Sequence, residues 1–423
     1  MTGRRRHPAV TRLARESSGD RIAGEGGVAL RAASALARIA LDRVDEARGA
    51  ALPRTPEQLA DARALDALLA SHAPPGAPRL PPVRRARLPG VRFESSNCTN
   101  FLIEVEFEGG PDPALPRSFY AKLPPPELAT RAFANALGFW EVEVRFCQAL
   151  ADRVPIATPR VYAAARRGAR FVLLLENLHE RPGTRLFINR DMATGSTPER
   201  SRRCLESFAA LHAAFWNASQ SSRDALIPRR LHPHLSPGGR ARSRALARAS
   251  IAPTQRKAPD ILRAEHVEIC RMAVANWDAL VDAWFAEPLT LVHGDSHLGN
   301  CFEVASPDGP GVGVLDFQGL HWGQGIRDVQ YHLVFSLEPK TLAECEDALV
   351  GDYLAALARH GVVLDAGLAR AQYRALSFQT LVVALVSLGL GSMIEREETV
   401  RIVLRRSVAA IDRLGFGDWL AQL

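Results

Sequence analysis

Between residues 101 and 108, Phe101, Ile103, Val105 and Phe107 alternate with Leu102, Glu104, Glu106 and Glu108. Successive side chains of a strand point to opposite faces, so this period of two specifies a half-buried strand and fits no helix. Gly109-Gly110-Pro111 turns the chain, and Ser118 to Leu123 predicts a second strand. A long helix is expected over Leu128 to Asp152, then short strands near Arg160 to Ala164 and Arg170 to Leu175. Strand, strand, helix, strand, strand is the pattern of a small antiparallel sheet carrying one helix.

Beyond Leu178 the pattern turns helical, with helices expected at 197–219, 260–286, 325–338, 341–360, 366–393 and 397–414. Two short apolar runs, Leu289 to Val292 and Val312 to Leu315, interrupt them as strands. Ahead of the sheet, Val28 to Arg48 is Ala-rich and helix-compatible, and Pro56 to about Ser71 predicts a helix with Thr55 as N-cap. His72 to Gly90 holds six prolines and reads as a linker. The chain is therefore α+β. Residues 1–50 form an extension, helical or partly disordered. Residues 51–178 form a sheet lobe with a leading helix, and 179–423 a helical lobe.

Composition narrows the class. With 423 residues, 47% of them hydrophobic, there is ample material for a buried core. The six cysteines (Cys98, Cys147, Cys204, Cys270, Cys301, Cys345) include no C-x-x-C pair, so neither a zinc site nor a disulfide framework is expected, and a reduced, cytoplasmic protein is. No run reaches the ~18 apolar residues of a membrane span, and Leu381 to Met393 reads as a buried helix. The basic start lacks the apolar stretch of a secretory signal. The net charge of +7 comes from ten Arg against six acids in the first fifty residues and from the acid-free stretch Ala225 to Lys257, with eight Arg or Lys. These read as solvated loops, and no nucleic-acid-binding motif accompanies them.

The chemistry concentrates after the first interrupting run. Leu291-Val-His-Gly-Asp-Ser-His-Leu-Gly-Asn300 places Asp295 five residues before Asn300, and the second run ends in Leu315-Asp316-Phe317-Gln318. Phosphoryl transfer needs one carboxylate to orient the attacking hydroxyl, and a carboxylate with an amide oxygen to hold Mg²⁺. Lys122 is one of three lysines, with Lys257 and Lys340, against fifty arginines, and it stands in an apolar strand where a compact ammonium is needed.

These residues resemble the catalytic and metal motifs of the aminoglycoside phosphotransferase and choline kinase superfamily, and most closely its ecdysteroid-kinase-like branch. The resemblance runs in family order through Ser95-Ser96-Asn97, Ala121-Lys122, Glu143-x-x-Phe146-Cys147, Leu173-Leu-Leu-Glu176-Asn177-Leu178, Leu211-His212-x-x-Phe215-Trp216 and Gly325-x-x-Asp328. It implies a protein-kinase-like, two-lobed fold with ATP or GTP between the lobes. Asp295 would be the catalytic base, Asn300 and Asp316 the Mg²⁺ ligands, and Lys122, paired with Glu143, the phosphate clamp. Leu174 to Leu178, Glu176 included, would be the hinge that offers backbone hydrogen bonds to adenine. Ser96 and Asn97 would cap the phosphates in place of a Gly-rich loop, and His293 and Asp328 would support the catalytic loop.

Other positions stay open at this level. Glu141 competes with Glu143 for the lysine, since two residues on a helix point to different faces. His297 either lines the acceptor site or faces solvent, and Gln318 and Trp322 either line it or pack. His212 and Trp216 read as core. A non-catalytic kinase-like module and a dinuclear metallophosphatase are the alternative readings. The resemblance implies a small hydroxylated acceptor, steroid-like or another alcohol, with an aminoglycoside less favoured because Ala225 to Lys257 has no acid to meet a cation.

Overall fold

The computed structural model describes residues 52–93, 95, 97–305, 310–391 and 396–423, together with Ala37 and Ile39, both helical. The rest of the helix expected over Val28 to Arg48 lies outside the described residues, as does Ser96. Thr55 Oγ accepts from the Gln58 amide and Asp61 Oδ1 from the Ala64 amide, so the first helix begins as α1 (Pro56–Leu59) and restarts as α2 (Ala62–His72). The proline-rich stretch expected as a linker contains a strand, β1 (Val83–Arg87), followed by β2 (Arg92–Phe93). Both pair with β3 (Thr99–Phe107), the alternating segment. Ion pairs of 2.5 Å, Arg84–Glu106 and Arg87–Glu104, hold this edge with charged side chains that show no apolar period.

β4 (Ser118–Leu123) follows, and Gly138, at φ 80°, divides the single expected helix into α3 (Leu128–Leu137) and α4 (Phe139–Ala149). With β5 (Val161–Arg167) and β6 (Arg170–Glu176) the antiparallel sheet runs β1-β3-β4-β6-β5. One face, with Ile103, Phe119, Ala121, Ala163 and Leu174, packs on Leu65 and Leu68 of α2. The other, with Ala164, Phe171, Leu173 and Leu175, shares a core with Trp140 and Val144 of α4 and with the helical lobe.

That lobe opens with β7 (Arg185–Leu186), α5 (Asn189–Thr194), α6 (Pro198–Ala214) and α7 (Gln220–Leu226). Next comes α8 (Gly239–Lys257), which corrects the loop reading of the basic stretch. Its Ala247, Ser250, Ile251 and Thr254 are buried, and Arg242 donates to the Pro237 carbonyl and the Ser236 hydroxyl, both at 2.8 Å. α9 (Ala264–Ala275) and α10 (Trp277–Trp284) replace one expected helix, broken at Asn276. The interrupting strands are β8 (Thr290–Val292), β9 (Cys301–Val304), β10 (Gly311–Val314) and β11 (His321–Gly323). β8 pairs with β11, and β9 lies between β10 and β7.

α11 (Ile326–Ser336), α12 (Pro339–Arg359), α13 (Ala366–Leu390), α14 (Glu397–Arg413) and α15 (Phe416–Leu420) complete the lobe. Among the described residues, α13 is the one helix long and apolar enough to cross a membrane. Most of it is buried here, Leu381, Leu385 and Leu388 included, in contact with α8 and α14. The fold is the α+β, two-lobed arrangement of a protein kinase.

Candidate active site

Ala121 and Leu123 face α2, so the period of two turns Lys122 to the other face of β4, toward α4. There its ammonium meets Glu143 Oε1 at 2.6 Å and Asp316 Oδ1 at 3.4 Å. Burial opposes the charge on Lys122, but the two carboxylates outweigh it and hold the ammonium well above the usual lysine value. Burial pushes the Glu143 carboxyl up, and the neighbouring Asp316 pushes the same way against Lys122. The choice between the two glutamates is settled by helix geometry. Glu141 lies on another face of α4, where Arg145, Arg166 and Arg230 surround it.

The segment after β8 is fastened from behind by Asp328, at the start of α11. Its buried carboxylate accepts from the His293 amide at 2.6 Å and the Gly294 amide at 3.0 Å, and lies 3.2 Å from His212 Nε2. Hydrogen bonding and charge from His212 and Arg327 hold it below the usual carboxylate range, although burial pushes the other way. His293 adds a bond from Nε2 to the Leu315 carbonyl at 3.1 Å, and its Nδ1 accepts from the Asp295 amide at 3.2 Å. Gly294, at φ +85°, lies so close to the Gly319 carbonyl that a Cβ would collide with it, so this position needs glycine.

Asp295 is thereby presented on a braced loop. Its Oδ1 accepts from the Tyr331 hydroxyl at 2.9 Å and its Oδ2 from Asn300 Nδ2 at 3.1 Å, while Asn300 Nδ2 also reaches the Asp295 carbonyl at 2.8 Å. His297 Nε2 lies 3.6 Å from Asp295 Oδ1, so the ring sits beside the carboxylate and does not face solvent. Burial lowers its pKa, and the Asp295 charge opposes that shift. Asp316 takes the left-handed conformation (φ 65°), uncommon for a side-chain-bearing residue and frequent at functional sites. Phe317 then stacks on Phe146 of α4 with centroids 3.5 Å apart, and His293 meets its edge at 4.9 Å.

The donor set suits a hard cation. Asp316 Oδ1 is buried and accepts no hydrogen bond, and the Asn300 amide nitrogen is tied to Asp295, so its oxygen is the atom left to a metal.

The remaining candidate residues are placed by the sheet edge and the turns. Leu174 lies in β6, paired with Ala121 of β4 and Ala163 of β5, and its side chain is on the α2 face. Glu176 is also engaged: its amide donates to the Arg160 carbonyl at 2.8 Å, and its carboxylate accepts from Arg181 Nε at 2.9 Å. Leu178 follows it, buried in a short 3₁₀ turn. Asn97 is buried, and Ser95 Oγ accepts from the amides of Asn97 and Cys98 at 3.4 and 3.3 Å. Gln318 is half-buried in the turn after Asp316. Trp322 packs: its indole donates to the carbonyls of Arg223 and Ile227 at 3.2 and 3.1 Å, and its ring meets Phe215 edge-on.

Two residues of the site were not anticipated. Tyr331 stands three places after Asp328, a spacing that puts both on one face of α11 and was available as a signal. His212, expected as core, is the buried partner of Asp328 and lies 2.9 Å from the Tyr353 hydroxyl.

Residues 114–370 match the model of the phosphotransferase enzyme family, APH. No curated protein sequence matches the chain. Among solved structures, a Ralstonia eutropha protein assigned as an aminoglycoside phosphotransferase is 17% identical, covering 85% of this chain and 98% of its own, with a TM-score of 0.48. A choline/ethanolamine kinase family protein of Mesorhizobium loti is 16% identical, covering 71% and 89%, with a TM-score of 0.41. The Plasmodium vivax ethanolamine kinase is 13% identical, covering 74% and 78%, with a TM-score of 0.42. The family match spans more than half of the chain and takes in Lys122, Glu143, Asp295, Asn300, Asp316 and Asp328, so this chain belongs to the phosphotransferase enzyme family and is a small-molecule kinase by that membership.

Proposed function

We propose that the chain transfers the γ-phosphate of ATP, or of GTP, to a hydroxyl of a small acceptor in the cytoplasm. The observation that carries this reading is the Lys122–Glu143–Asp316 triad, its lysine and glutamate buried, beside a loop that presents Asp295. Lys122 offsets phosphate charge, and the backbone near Leu178 meets the base. Asp295 orients the acceptor hydroxyl and takes its proton as the new O–P bond forms and the bond to the departing nucleoside diphosphate breaks. Asp316 and Asn300 would hold Mg²⁺, which would supply charge neutralisation at the phosphates. Most of the acceleration comes from positioning and electrostatics.

For the acceptor we favour a steroid-like or other lipophilic alcohol, on the resemblance of the motifs to the ecdysteroid-kinase-like branch. The basic stretch does not bear on this choice. Arg240 pairs with Asp282 at 2.5 Å, Arg244 lies 3.7 Å from Asp278, and Lys257 donates to the Leu388 carbonyl at 2.8 Å. These charges are engaged within the helical lobe.

The test is thermal unfolding of wild type and Asp316→Asn with Mg-ATP and Mg-GTP. Ligand at a hundred times its Kd stabilises by about 2.7 kcal/mol, a shift of a few degrees. A magnesium-dependent shift, weakened in the variant, leads on to alcohol acceptors screened by ADP release. A folded protein that shifts with neither nucleotide at millimolar concentration sinks the proposal.

A further inference from the structure

Behind the catalytic loop, three residues far apart in sequence meet in the core. Cys204 comes from α6, Cys301 opens β9, and His332 lies on α11. All three side chains are fully buried, and their ligand atoms lie within 4.8 Å of one another. Because roughly a hundred residues or fewer separate each from the next, no short Cys or His motif marks the cluster, which is why cysteine spacing gave no hint of it.

We propose that Cys204, Cys301 and His332 form a structural site for a thiophilic d¹⁰ cation, zinc(II) by preference. Three observations support it. First, His332 Nδ1 lies 2.9 Å from the Ser296 carbonyl, which fixes the proton on Nδ1 and leaves the Nε2 lone pair on the cysteine side. A backbone carbonyl behind a ligating imidazole is the usual support of such a ligand. Second, Ser201 Oγ is 3.3 Å from Nε2 and directs its own proton to Ser196 Oγ at 3.0 Å, so an oxygen lone pair is available as a fourth donor. Third, the charges balance. Binding releases one proton from each thiol to solvent, and two thiolates cancel a dication, so the low-dielectric interior acquires no net charge. No oxidant or reductant is involved.

The spacing is also suitable. Tetrahedral zinc at ~2.3 Å from sulfur places two thiolates about 3.8 Å apart, so the cluster has to close by no more than about 1 Å. Sulfur and imidazole select zinc or copper(I) and disfavour magnesium or calcium. Such an ion would act as a clip. Cys301 directly follows Asn300, and His332 directly follows Tyr331, which donates to Asp295. It would fasten the exit of the catalytic loop to α6 and α11 at once. This proposal does not depend on the phosphoryl-transfer reading.

The experiment is metal analysis of the full chain, expressed without a metal-binding tag in medium supplied with zinc, copper or cobalt. We expect one zinc per chain in wild type and in Cys345→Ser, whose half-buried thiol lies outside the cluster. Cys204→Ser and Cys301→Ser should lose it, and cobalt-loaded wild type should show a thiolate-to-cobalt absorption band that both variants lack. Zinc displaced by copper in wild type would keep the site and reassign the ion. Wild type that retains no more of any of the three metals than Cys204→Ser, and shows no cobalt band, overturns the proposal. Should both variants fail to fold, cobalt titrated into wild type decides between these outcomes through the band alone. The Mg-ATP shift is read separately, so failure here leaves the kinase reading intact.

Discussion

Asp295 is held on both oxygens, by Tyr331 and by Asn300. Burial, and then the charge on Asp295, hold the Tyr331 phenol well above its usual value, so it stays a donor over any working pH. Two outcomes follow at this scale. Asp295→Ala should lower turnover by about 10²–10⁴ while the Mg-ATP thermal shift survives. Tyr331→Phe should lower turnover roughly tenfold, the worth of one hydrogen bond of about 1–1.5 kcal/mol in the transition state, again with nucleotide binding unchanged. Steady-state ADP release with an accepted alcohol reads both, and wild-type turnover in either variant removes that residue from the mechanism. Lys122 was legible because lysine is rare in this chain and its strand was clear. Tyr331 went unread although its spacing from Asp328 was there to see, because its own partner, Asp295, lies 36 residues away.

The helix α4 sorts its side chains by face: Glu141 to three arginines, Glu143 to Lys122, and Phe146 onto Phe317. The ring stack is the apolar joint between the sheet lobe and the segment that carries Asp316. Phe146→Ala should cost about 3–5 kcal/mol of stability and shrink the Mg-ATP shift. Denaturant unfolding measures the first effect, and an unchanged midpoint would count against the joint. Elements with a clean apolar period, such as β3 and α11, were readable in the sequence. β1 was not, because three of its five residues are arginines and its strand character comes from pairing with β3. α8 was not readable either, because Pro253 and scattered arginines hide its short buried stripe.

Across the whole molecule, the buried rings of His232 and His321 and the half-buried ring of His234 pack together beside Phe285. Burial, with like charge from one another and from Arg327, pushes His234 down to about 3 and His321 to about 4, and His232 well below its usual value. Above about pH 6.5 these rings are neutral whether the chain is folded or not. Below it the unfolded chain binds protons that the folded one refuses, so stability falls as pH drops toward 4. Each histidine contributes up to about 1.4 kcal/mol per pH unit. Melting temperatures from pH 7.5 to 5 should decline, and a flat profile would rule out buried neutral rings. The two-lobed plan was legible at this scale because strand and helix periods separate along the chain, whereas the histidine core is assembled from distant segments. One further consequence belongs to the meeting of Gly294 with Gly319. There the segments that carry Asp295 and Asp316 touch main chain to main chain, with no room for a Cβ at 294. Their separation already stands at the limit of contact, and the pair works as a joint that accepts no shim.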